Sequence, residues 1–149
     1  MTRGAQIQAF EPWFFILFGI FHLHRIWALV NRRAYADFWL GVMQEKGVIY
    51  YGLMGLLSLL CIAGIVSFFC HIHENPWWRW IYLLGGGYVL FDLFAIATGL
   101  SFWQRLLQMM FDTTASYWTP LWSLFIVLGA FSLGLGIWLL KKRYAENGG

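Results

Sequence analysis

Two histidines and an arginine, His22, His24 and Arg25, stand inside FGIFHLHRIWALV, a stretch otherwise apolar enough to cross a bilayer. Imidazole gains or loses a proton near neutral pH, and a guanidinium binds anions through donors it never gives up. An ionisable group at mid-span costs about 2.5–3.5 kcal/mol on insertion scales, so it normally faces a protein interior and has a partner. The chemistry these residues could do is therefore to hold an anion or relay a proton inside a membrane.

Spacing divides the roles. His22, Arg25 and Leu29 follow i, i+3, i+7 and share one helix face. His24 lies about 200° from His22 on a regular helix, so the pair cannot chelate one metal. The one candidate counter-ion at mid-span elsewhere is Asp92, in GYVLFDLFAIATGL. In the repeat alignment given below, Asp92 falls level with Ala28, about 4.5 Å along the axis from Arg25. An Arg25–Asp92 pair is expected, with His22 as the protonatable group and Arg25 as the anion contact. His24 is read as supporting that site or lining an interface. Tyr88, next to Gly85-Gly86-Gly87, is placed as a hydrogen-bond donor beside a gap the glycines leave open.

Other constellations carry less. Cys70, His71, His73 and Glu74 are metal-ligand types, but they lack the paired spacing of a zinc site, and no metal is expected there. Haem held by two histidines needs ligands on two helices at similar depth. His71 and His73 end the second apolar segment while His22 is mid-span, so only an oligomer could supply the pair. Glu11, His22 and Asp92 are acid–base types, yet no serine or cysteine has a visible base beside it. No catalytic residue is assigned. Haem or a quinone are the cofactors left open, and neither is implied by a motif.

The elements that must position these groups follow from composition. Of 149 residues 60% are hydrophobic, 21% aromatic and 11% charged, against about a quarter charged in soluble domains. An integral membrane protein is expected, with the bilayer as its first partner. The net charge of +3 comes from scattered residues. The single basic cluster, Lys141-Lys142-Arg143, follows the last apolar segment as a membrane-end anchor does. Nucleic acid is excluded as a partner. Cys61 and Cys70, nine residues apart on one helix, stand roughly 13 Å apart and cannot bridge. No cleavable leader is expected, since no small-residue cleavage site follows the first apolar run.

Four segments can span: Trp13 to Val30, Val48 to Cys70, Trp80 to Leu100 and Trp118 to Leu140. Each has roughly 18 to 23 residues, enough for a hydrocarbon core about 30 Å thick, and without water each should be helical. RRAYADFWLGVMQEKG and SFWQRLLQMMFDTTASY mix aromatics with charges and read as short interfacial helices between spans one and two and between spans three and four. The fold class is an all-α four-helix membrane bundle in a single domain, residues 1–149. Basic residues divide five to four between the two sides, leaning to both termini in the cytoplasm of a multi-pass protein of the cell (inner) membrane.

Matches at one constant offset hint at an internal repeat of 11–70 in 75–140, as two tandem helix hairpins. Glu11-Pro12-Trp13 meets Asn75-Pro76-Trp77, Phe38-Trp39 meets Phe102-Trp103, and Gln44 meets Gln108. One residue further on, SLLCIAGIVS lies over SLFIVLGAFS. In the fourth span Ala130 with Gly134, and Ser132 with Gly136, give small-xxx-small spacing, a helix-packing face.

FGIFHL in the first span, RRAYADFWLGVM after it and VIYYGLMGLLSLL opening the second are similar in layout to DoxX-like four-helix membrane proteins. The resemblance covers about a third of the chain and implies the fold; that group is functionally heterogeneous, so no activity follows.

The function read from these residues is binding or transport of a small anionic or proton-linked ligand through a His/Arg/Asp centre. Two other classes stay open. One is a non-catalytic subunit of a larger respiratory, photosynthetic or transport complex. The other, less supported, is a membrane enzyme acting on a lipid or quinone. Four short helices enclose little volume, so a homo-oligomer or a larger assembly is expected.

Overall fold

The computed structural model describes residues 6–74 and 76–147. Arg3 of the charge balance and Asn75 of the repeat match lie outside the described residues, as does the side chain of Glu74. Among the described residues the structure is helical, with no strand. Four helical stretches are long and apolar enough to cross a membrane: Glu11–Val30, Val48–Cys70, Trp77–Thr98 and Trp118–Glu146.

Helix α1 (Glu11–Leu23) opens with Pro12 in its first turn, where the missing N–H costs nothing. Glu11 reaches back to accept the Gln8 N–H at 2.8 Å, and it is fully buried. After Leu23 the backbone tightens. Arg25, Trp27 and Ala28 donate to the carbonyls three residues back, of His22, His24 and Arg25. This 3₁₀ pattern separates α1 from α2 (Ile26–Val30), so the first span is interrupted at His24 and Arg25.

Asn31 then turns the chain, and its side chain caps α3 (Arg32–Glu45) by accepting the Ala34 N–H at 3.0 Å. Helix α4 (Val48–Cys70) coincides with the expected second span. Two short 3₁₀ turns, 72–74 and 77–79, lead into α5 (Trp80–Thr98). Gly99, at φ 68°, ends α5 in the left-handed conformation that favours glycine. Helix α6 (Ser101–Met110) follows. Asp112 accepts from the Thr114 amide and hydroxyl, and these bonds hold its carboxyl below its usual range. Helix α7 (Trp118–Asn147) closes the chain and runs seven residues past the expected span end.

The chain forms two compact units. One comprises the described residues up to Asp37 and from Asp112 onward; the other is Phe38–Phe111. In the first, α1 and α2 pack on α7. The packing face of α7 is Trp118, Trp122, Phe125, Gly129, Ser132, Gly136 and Leu139, at alternating steps of four and three, the repeat by which two helices keep one seam in contact. Glycines set the approach. A Cβ on Gly136 would meet the Ile16 N and the Pro12 O at 2.8 Å, and one on Gly19 would meet the Leu133 N at 2.7 Å. Ser132 adds a hydrogen bond to the Phe15 carbonyl at 2.9 Å. Of the two small-residue pairs read from sequence, Ser132 and Gly136 lie on this seam. Ala130 and Gly134 are exposed, and a Cβ on Gly134 would meet nothing within 4 Å.

In the second unit α4 packs on α5 and α5 on α6. A Cβ on Gly64 would stand 3.2 Å from the Tyr82 ring, and one on Gly86 would touch Cys61 and Ile65 at ordinary distances. The units thus pair span one with span four and span two with span three. The repeat of 11–70 in 75–140 is a statement about sequence that this pairing leaves as it stands.

Candidate functional site

The interruption of the first span sets out its polar residues one by one. His22, in the last turn of α1, donates from Nδ1 to the Phe18 carbonyl at 3.0 Å and stacks on the Phe18 ring with centroids 4.9 Å apart. A carbonyl can only accept, so Nδ1 carries the proton and Nε2 of the neutral ring is an acceptor. Its Cβ lies against Gly129 on the α7 seam, and its ring stands 6.2 Å from that of Phe125. His22 is thus half-buried between two helices rather than turned out of the fold.

His24 donates from Nδ1 to the Phe21 carbonyl. Its ring stands 5.8 Å from Tyr35, in the first turn of α3. The two histidines therefore serve different neighbours, His22 toward α7 and His24 toward α3.

Arg25 sits at the break itself. Its guanidinium carbon lies over the Phe21 ring at 5.2 Å and the Phe125 ring at 4.8 Å, and the side chain hydrogen-bonds the Tyr35 hydroxyl. Cation–π contacts of this kind contribute from about 0.5 to 2 kcal/mol, the higher value where water is excluded. Tyr35 is 2% exposed. Its ring meets Trp122 edge-on at 5.0 Å and Trp27 at 5.7 Å. Burial pushes its phenol up to about 12, and the Arg25 charge and hydrogen bond pull against that rise. The phenol is therefore a neutral donor at any physiological pH. Trp118, fully buried, donates to the Ala28 carbonyl at 2.9 Å and fastens α2 to α7.

Asp92 and Tyr88 belong to the other unit. Trp103 of α6, itself buried, donates its indole N–H to Asp92 Oδ1 at 2.5 Å, so this carboxylate joins α5 to α6. Tyr88 is exposed, with its ring 6.4 Å from Trp103. Of the three glycines beside it, Gly86 touches α4, while a Cβ on Gly87 would meet nothing within 4 Å.

The site residues named from sequence thus fall into two groups, His22, His24 and Arg25 in one unit and Asp92 and Tyr88 in the other. The sequence reading missed Tyr35, Phe125 and Trp122 around Arg25, and Trp103 at Asp92. The four-three spacing that continues from Gly129 through Phe125 to Trp122 is a signal that could have found two of them. His71 bonds the Ser67 carbonyl from its Nδ1, and Cys61 and Cys70 are free thiols. No group of three or more metal-ligating side chains comes together among the described residues.

Fold and site together define an all-helical protein with four helices able to cross a membrane and a guanidinium set among aromatic rings where the first of them is interrupted. No protein-family model matches the chain, and comparisons with curated proteins and with solved structures give no match.

Proposed function

We propose that this is a small multi-pass membrane protein that binds or moves a small anionic or proton-linked ligand at Arg25. The observation that carries this reading is the coincidence of three features at one point of an apolar span: a permanent charge, an interrupted helix and a wall of aromatic side chains. Interrupted spans with charged groups at the interruption are a recurrent way of building ligand sites at membrane depth. His22, with an acceptor nitrogen on the same seam, is the group that would link binding to a proton. Helices α3 and α6 are proposed to lie in the membrane interface, with both termini in the cytoplasm.

Native mass spectrometry of the gently solubilised protein tests this. A defined adduct in the wild type that is lost in Arg25→Gln supports a ligand site and gives its mass; a bare wild-type chain overturns it.

A second reading is favoured by one observation. Phe21, Phe125 and Tyr35 already engage Arg25 within its own unit, which is also what a purely structural cation would need. On that reading the chain is a non-catalytic subunit of a larger membrane complex, and it would be recovered with other polypeptides rather than with a small molecule.

A further inference from the structure

The end of α7 divides its cations between the packed side of the helix and the open side. The seam against α1 runs through Gly136 and Leu139, and the next step of four reaches Arg143, which donates to the Ala9 carbonyl at 3.4 Å. Arg143 thus belongs to the packed side. The open side repeats the same spacing: Val127, Phe131, Gly134, Trp138, Lys141 and Ala145 fall at alternating steps of four and three, and all are exposed. Lys142, beside this stripe and also exposed, lies over the Trp138 ring at 5.3 Å. Lys141 makes no ion pair among the described residues.

Length puts these lysines at a definite depth. Helix α7 has 30 residues and is about 45 Å long, against a hydrocarbon core about 30 Å thick. Trp138 stands about 30 Å along the axis from Trp118, where an amphipathic ring meets the membrane surface. Lys141 and Lys142 follow one turn later, about 5 Å further out, at the level of the lipid headgroups. The stripe passes from apolar to aromatic to cationic, matching the acyl chain, glycerol ester and phosphate along one lipid molecule. Helix α7 carries a single acid, Glu146, against three cations, so its end is net positive. A soluble anion would engage only the lysines, whereas an anionic lipid meets all three zones. Resting on the reading of this chain as a multi-pass membrane protein, we propose that the open face of α7 at Trp138, Lys141 and Lys142 is a docking surface for an anionic phospholipid.

The experiment offers the purified, delipidated full chain equimolar phosphatidylglycerol and phosphatidylcholine with identical acyl chains. Native mass spectrometry counts the lipids retained. Wild type is expected to retain phosphatidylglycerol over phosphatidylcholine. One cation near the surface strengthens anionic-lipid binding about fivefold. Lys141→Gln should therefore lower the ratio about fivefold, and the double variant with Lys142→Gln should lower it further. Melting temperatures should stay near wild type, which shows that the loss is not one of folding. Arg33→Gln removes an exposed cation beside Arg32, which hydrogen-bonds Thr119 at the other end of α7, and should leave the ratio unchanged. No headgroup preference in wild type, or an undiminished ratio in the double variant, overturns the docking surface. An equal fall in Arg33→Gln overturns it too, since net charge alone would then set the preference. Flotation with phosphatidylcholine vesicles after an alkaline wash reads the membrane placement separately. A chain that floats but shows no preference sinks this inference and leaves the membrane reading standing. A chain that floats neither with these vesicles nor with phosphatidylglycerol ones sinks both.

Discussion

Gly129 stands against His22: a Cβ built on the glycine would meet the histidine Cβ at 2.7 Å. The same atom would lie 3.1 Å from the Gly19 carbonyl and the Leu23 amide, which are backbone and cannot rotate away. The position of the candidate proton-linked residue is thus set by a glycine more than a hundred residues later, on the helix that packs against it. Placement of His22 and packing of α1 on α7 are one event.

Gly129→Ala and Gly136→Ala should therefore each lower stability by about 1–3 kcal/mol, the usual cost of overpacking. Gly134→Ala, on the exposed face of the same helix, should be neutral or stabilising by up to about 1 kcal/mol through helix propensity. Thermal melts of the three variants in one detergent make the comparison. Equal losses at all three positions would mean that the seam does not run through Gly129 and Gly136.

The indole of Trp103 and the carboxylate of Asp92 form the joint between α5 and α6. Trp103→Phe keeps a ring and removes the donor, so it should cost about 1–3 kcal/mol by depriving a half-buried carboxylate of this bond. Asp92→Asn keeps an acceptor oxygen and should cost less. Melting curves followed by tryptophan fluorescence would read both.

Stability should fall at high pH because of Tyr35. Its phenol is pushed up to about 12, from an ordinary 10. A raised value stabilises the fold fully below pH 10, where both states hold the proton. Above pH 10 the unfolded chain gives up its proton first, and the contribution is lost progressively as the pH rises to about 12. At most this is on the order of 2 kcal/mol. Denaturation measured from pH 9 to 12 should show a decline that is shallower in Tyr35→Phe.

Much of this fold could be read before the structure. Val48–Cys70 is bounded as hydropathy places it, because a run of apolar residues that long has no alternative to a helix in lipid. Helices α3 and α6 follow from the mixture of charge and aromatics in their sequences. The interruption at His24 and Arg25 was not legible. No glycine or proline stands there, and the tightening shows only in hydrogen bonds to the third residue back.

Tyr35 escaped for a related reason. The chain turns at Asn31 and brings back a residue ten positions later, a distance no helical period connects to Arg25. On α7 an apolar surface all round hides the buried stripe from any hydrophobicity pattern, so only the four-three spacing of its small and aromatic residues marks the side that packs. Glu11 and Arg79 escaped in the same way, since both are almost fully buried at the ends of spans where solvated anchors would be expected.

The role of Arg25 decides between ligand site and structural glue, and one measurement addresses it directly: melting of wild type and Arg25→Gln, each with and without the molecule released from the wild-type preparation. A binding role predicts that the two proteins melt within a few degrees of one another when bare, and that the molecule raises the wild-type midpoint but not the variant's. A variant that melts far below wild type when bare, with no shift in either protein on adding the extract, would contradict the binding role and leave Arg25 as a cation that holds the first span to α3 and α7.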